Sequence, residues 1–156
     1  MKKLMILGAS YSQVPLIRAA KKLGFHTITA SIPGDFPGFA EADEFCYADI
    51  SKPEQVLEYA RKLQIDGITT CCLDTGVPAI GYVCEKMGLK GPSYESACRS
   101  TNKWEMKKAF EREGVSTARF RLVKNQEDLE KALKELTFPV IVKAVDLMGS
   151  RGIFRC

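Results

Sequence analysis

The sequence predicts an α/β protein: a doubly wound parallel-sheet domain, then a shorter α+β segment that stops before its own domain is complete. Three observations predict this. Residues 3–32 run apolar strand, glycine turn, helical period, apolar strand, the opening of a doubly wound sheet. The same alternation continues to about residue 99. Near residue 100 the pattern changes to helix, strand, helix, strand, too few strands for an independent sheet. The boundary falls between residues 95 and 96, giving segments 1–95 and 96–156.

Taken in order, residues 3–7 are a short apolar strand, and Gly8-Ala9-Ser10 turns the chain into a helix over about 13–23. Val14, Ile17, Ala20 and Leu23 have helical spacing, and Gly24 ends the helix. Residues 27–32 form a second strand. Residues 31–42, with Pro33-Gly34-Asp35 and Pro37-Gly38, read as a loop that either lines a site or merely connects. Residues 44–47 resemble a short third strand. Ser51-Lys52-Pro53-Glu54 reads as a capping box with proline in the first turn, opening a helix with Val56, Leu57, Ala60 and Leu63 inward. Residues 67–73 form a fourth strand, rich in β-branched residues. Asp74-Thr75-Gly76-Val77-Pro78 then opens a helix to about Met87, and Gly91-Pro92-Ser93 starts another.

In the second segment Asn102-Lys103-Trp104-Glu105 begins a helix with Met106, Ala109 and Phe110 inward, ending at Gly114. Residues 118–123 read as a strand. Asn125 caps a helix carrying Leu129, Ala132, Leu133 and Leu136 on one face. Residues 138–144 read as a buried strand with Lys143 planted in it.

Composition excludes several classes. Hydrophobic residues make up 46% and charged residues 27%, ordinary for a soluble globular protein. The net charge of +4 is spread along the chain, which suits an anionic small ligand and not a nucleic-acid surface. The apolar run before Gly8 is too short for a signal-peptide core, and no stretch approaches the ~20 apolar residues of a membrane span. Six cysteines without CxxC spacing and a single histidine give no zinc site, so no metal ligands are expected. Cys71 and Cys72 would point to opposite faces of a strand, making them poor partners. Buried thiols in a reducing cytoplasm are the simple reading.

Two stretches carry candidate chemistry. A dinucleotide fingerprint at the first turn needs glycines at 8, 10 and 13; the chain has Gly8, Ser10 and Gln13. NAD binding is therefore disfavoured. The turn is either a plain strand-to-helix connection or a substrate contact through Gly8 and Ser10 at the carboxyl end of the sheet. Asp74 occupies a strand's carboxyl end too, where it caps a helix or faces a ligand. The second stretch is Lys143 followed by Gly149-Ser150-Arg151-Gly152. A charge in an apolar strand needs a reason, and cations beside a glycine loop suit a nucleotide triphosphate. The bland alternatives are a solvated lysine and a hairpin turn.

Ser100-Thr101-Asn102-Lys103-Trp104-Glu105-Met106-Lys107, then Gly114-Val115, then Phe138-Pro139-Val140-Ile141-Val142-Lys143-Ala144 and the loop over 146–152 resemble the ATP-grasp superfamily. The closer likeness is to carbamoyl-phosphate synthase large-chain-like ligases. Residues 1–95 resemble their Rossmann-like pre-ATP-grasp domain, and residues 96–156 the first part of the ATP-grasp domain. The resemblance implies that Lys103 meets the phosphates of ATP and that Lys143 contacts its α-phosphate and adenine side. It implies that Gly149, Ser150, Arg151 and Gly152 form the mobile loop closing over the phosphates. It also implies a ligase that makes an acyl phosphate from a small-molecule carboxylate, which an amine then attacks. Ala144 departs from the proline common after the strand lysine. The family's catalytic and Mg²⁺-binding acidic residues follow the glycine-rich loop and are not in this chain, so the chain alone is expected to be inactive.

Three readings follow: an N-terminal piece of an ATP-grasp ligase, a non-catalytic binding module completed by a partner chain, and a nucleotide-cofactor oxidoreductase domain, which Ser10 and Gln13 disfavour. No nucleic-acid or membrane partner is expected. An unfinished second segment leaves apolar surface that a homodimer could cover.

Overall fold

Strand β1 (Lys3–Leu7) carries an unbroken apolar run because it lies at the centre of a parallel sheet, with Met5, Ile6 and Leu7 fully buried. The computed structural model describes residues 1–156, which divide into two units, Met1–Cys98 and Arg99–Cys156.

In the first unit β1 is followed by α1 (Val14–Lys22), β2 (His26–Ser31), α2 (Pro37–Glu41), β3 (Glu44–Tyr47), α3 (Pro53–Leu63), β4 (Gly67–Thr69), α4 (Val77–Met87) and α5 (Tyr94–Thr101), whose last residues belong to the second unit. The four strands pair in parallel in the order β3-β2-β1-β4, with Met5 opposite Ile28 on one side and Ile68 on the other. Sequential strands that run parallel need crossovers, and the helices supply them on both faces. Met5, Leu7, Ile28, Ala30 and Cys46 pack with Val56 and Ala60 of α3 and Ile80 and Val83 of α4. On the opposite face Ile6 packs with Ile17 and Ala20 of α1. Burial pushes the Cys46 thiol up to about 11, so this cysteine behaves as a small apolar side chain.

One polar cluster fixes the entry to β3. Asp43 Oδ2 accepts from Thr27 N (2.9 Å) and Thr27 Oγ1 (2.8 Å), and Lys21 lies 2.8 Å from the other carboxylate oxygen. The Lys21 ammonium, then the Thr27 backbone N–H, hold the Asp43 carboxyl well below the usual carboxylate range.

Several sequence expectations are corrected here. Residues 31–42 are not all loop: Pro37 starts α2, its fixed φ suiting a first turn. The capping box does not form. Lys52 is the N-cap of α3 and makes no side-chain cap bond, because Ser51 is captured by Asp49, whose Oδ1 accepts from Ser51 N (3.0 Å) and Ser51 Oγ (2.6 Å). The fourth strand ends at Thr69; Thr70 turns its hydroxyl onto the Leu7 carbonyl (2.7 Å), and Cys72 adopts a left-handed φ of 54°.

The second unit holds α6 (Lys103–Arg112), α7 (Gln126–Glu135), and the antiparallel pair β5 (Ile141–Lys143) and β6 (Ile153–Arg155). Asn102 and Asn125 cap the two helices, Asn102 Oδ1 accepting from Trp104 N and Glu105 N, Asn125 Oδ1 from Asp128 N. Residues 118–123 are not a strand. They have no ladder partner; instead Lys107 Nζ donates to Thr117 Oγ1 (2.5 Å) and Ala118 O (3.0 Å), and Phe120 packs edge-on against Trp104. Residues 138–144 shorten to a three-residue strand and are not buried: Ile141 is 53% and Val142 51% exposed, since a two-stranded hairpin has no layer on either face.

Candidate functional site

Each unit contributes its own candidate residues. In the second unit, pairing of Lys143 with Ile153 makes residues 144–152 the loop that joins β5 to β6. Gly149, Ser150 and Gly152 all have left-handed φ, 64°, 59° and 65°. Gly149 would meet nothing if given a side chain, so the glycine serves backbone conformation and not space. The loop's own atoms hold Arg151, whose Nε donates to Met148 O (3.2 Å).

Lys103 meets this loop directly. Its backbone N donates to Val145 O (2.8 Å), and its Nζ donates to Leu147 O (2.5 Å). The Asn102 cap fixes the first turn of α6 and so fixes where Lys103 starts. The structure therefore brings Lys103 to the glycine-rich loop, two residues past Lys143. The Lys143 ammonium is exposed and makes no hydrogen bond or ion pair within the chain. Desolvation cost cannot explain it, because the strand around it is exposed too; the expectation of a charge forced into a buried strand is corrected on that point. What the second unit presents is an exposed cation, a second cation tethered at the loop's base, and a loop whose glycines free its backbone N–H groups to turn. Such a set can gather anionic oxygens.

In the first unit the Gly8–Ser10 turn is occupied by protein. Gln13 is 2% exposed. Its Oε1 accepts from Ser10 N (3.1 Å) and Ser10 Oγ (2.7 Å), and its Nε2 donates to Cys71 O (2.6 Å). A Cβ on Gly8 would come within 3.0 Å of this side chain and 2.8 Å of Leu73. Helix α2 closes the turn from the other side, Gly38 N donating to Ala9 O at 2.7 Å. In the sequence Gln13 shows only as a missing glycine; the signal for its plugging role is the Ser10/Gln13 spacing at a helix start, which suits a side chain returning to the turn. Asp74 lies exposed after β4 in a short 3-10 turn (Asp74–Gly76) and caps nothing; the N-cap of α4 is Gly76.

No group of three or more His, Cys, Asp or Glu side chains converges as a metal-ligand set, and no helix is long and apolar enough to cross a membrane.

No family model matches the chain. Alanine–anticapsin ligase of Bacillus subtilis is 30% identical over 114 residues, covering 70% of this chain and 24% of that protein. The crystal structure of phosphoribosylglycinamide synthetase from Anaerococcus prevotii superposes with a TM-score of 0.79 at 43% identity, over 99% of this chain and 38% of that one. A carboxyaminoimidazole ribonucleotide synthase from Aspergillus clavatus, solved with ATP, has the same fold at 21% identity and a TM-score of 0.79, over 99% of this chain and 41% of that one. The chain thus spans between a quarter and two fifths of these proteins. The homologues are ATP-grasp ligases that form C–N bonds, and this chain matches the N-terminal domains of such enzymes. None of the three proteins just named is a carbamoyl-phosphate synthase.

Proposed function

We propose that this chain is the N-terminal portion of an ATP-dependent carboxylate–amine ligase. The observation that carries the proposal is Lys103 bonded to the base of the glycine-rich loop that follows Lys143, in a chain whose relatives are ligases. On this reading Lys143 and Lys103 neutralise phosphate oxygens, and the backbone N–H groups of Gly149, Ser150 and Gly152, with the Arg151 guanidinium, close over them. ATP supplies a phosphoryl group that turns a carboxylate into an acyl phosphate, which an amine can attack. Lys103 reaches phosphate by exchanging its bond to the Leu147 carbonyl, which couples nucleotide arrival to loop position.

The donor set of ammonium, guanidinium and backbone N–H groups fits nucleotide phosphates, whereas Mg²⁺ takes oxygen ligands that such donors do not supply. On this reading the complete enzyme supplies the ion's carboxylate ligands, and residues 1–156 alone are expected to be inactive. Asp74 is the most accessible candidate for substrate contact in the first unit; Gly8 and Ser10 contribute only if Gln13 is displaced. The alanine–anticapsin ligase and the phosphoribosylglycinamide synthetase among the relatives favour a small carboxylate joined to an amine; a carbamoyl-phosphate-synthase-like substrate rests on the sequence motifs alone. A cytoplasmic location accords with a metabolic ligase of this kind.

The exposed apolar hairpin favours one second reading, a binding module that a partner chain or a second copy completes. Calorimetric titration separates these classes. Saturable binding of ATP with none of NAD is expected. NAD binding in place of ATP would support the oxidoreductase reading, and no binding of either would support the module.

A further inference from the structure

The left-handed φ of Cys72 has a chemical consequence. Consecutive residues of a strand point their side chains to opposite faces. Here β4 has ended at Thr69, and Cys72 at φ 54° breaks that alternation just past the carboxyl end of the sheet. The two thiols are carried by adjacent residues, and the Cys71 thiol donates to Ser12 O at 3.2 Å. Cys72 is exposed and Cys71 half-buried, so a small reagent can reach both from solvent. The expectation that the two are poor partners assumed a strand that the chain does not form there.

We propose that Cys71 and Cys72 form a vicinal dithiol site for a trivalent thiophilic metalloid, of the class of monosubstituted arsenicals. Soft thiolate ligands select soft acceptors, and two adjacent thiols released from strand alternation chelate where one cannot. Hydrated phenylarsine oxide carries two As–OH groups. Each thiol sulfur displaces one of them: two S–As bonds form, two As–O bonds break, and two water molecules leave with the thiol protons. Arsenic stays trivalent, so no oxidant is needed. Capture draws the Cys71 sulfur away from Ser12 O, and the Cys71 carbonyl is the acceptor for Gln13 Nε2. The site is thereby wired to the Gln13 plug and the Gly8–Ser10 turn. The proposal stands independently of the ATP reading, since it needs no nucleotide.

The test uses the 156-residue chain, reduced, with phenylarsine oxide as the probe, and counts bound arsenical by intact mass. One equivalent that survives a monothiol wash and is stripped by 2,3-dimercaptopropanol is expected. Cys72→Ser and Cys71→Ser should each lower the stoichiometry by one equivalent, while Cys84→Ser, at a buried thiol elsewhere, should leave it unchanged. Cys72 is exposed, so its serine variant has no core packing to lose. Unchanged uptake in Cys72→Ser, or no dithiol-reversible uptake in the parent chain, overturns the proposal.

Discussion

Lys143→Ala weakens ATP binding about 10- to 100-fold, the loss of a charge-assisted hydrogen bond worth about 1.5–3 kcal/mol. Thermal or denaturant stability should not move with it. The ammonium is exposed and bonded to nothing within the chain, so the fold has nothing to lose. That separation of readouts makes the variant informative. A solvated surface lysine would leave affinity and stability both unchanged, and that outcome removes Lys143 from the nucleotide site. Lys103 would be a poorer choice, because its Nζ holds the Leu147 carbonyl and its removal disturbs the loop as well.

Gln13→Ala destabilises the first unit by about 2–4 kcal/mol. The variant strips partners from Ser10 N, Ser10 Oγ and the Cys71 carbonyl, and each buried polar group left unpaired costs about 1–3 kcal/mol unless water enters. A small cavity adds to the loss. Urea denaturation measures it, with the midpoint falling while the slope stays constant. A change below about 0.5 kcal/mol would mean that water replaces the amide, and the turn would then be open to ligands in the parent chain as well.

How far the sequence reveals this molecule depends on which interactions are local. The parallel core was legible because apolar runs such as Met5-Ile6-Leu7 admit few alternatives once glycine turns and helical periods flank them. The helix caps at Asn102 and Asn125 were legible for the same reason, since a cap is satisfied within three residues. Ser51 failed as a cap because Asp49, two residues earlier, offered its hydroxyl a competing acceptor. The strand expected over residues 118–123 failed because strand formation needs a distant partner, and none is present. The placement of Lys103 against Leu147 spans 44 residues and could be anticipated only through family resemblance. The Gln13 plug combines a local bond to Ser10 with one to Cys71, 58 residues away, and only the local half leaves a trace in the sequence.

On the proposed function, the second unit gathers the phosphates of ATP around Lys103, Lys143 and the glycine-rich loop. An acyl-phosphate derivative of ATP tests it most directly, because it transfers its acyl group to lysines lying beside the phosphates. Peptide mapping after labelling should find the acyl group on Lys143 and Lys103, suppressed by excess ATP and not by NAD. Labelling spread over surface lysines, with no protection by ATP, would rule out a phosphate site at these lysines.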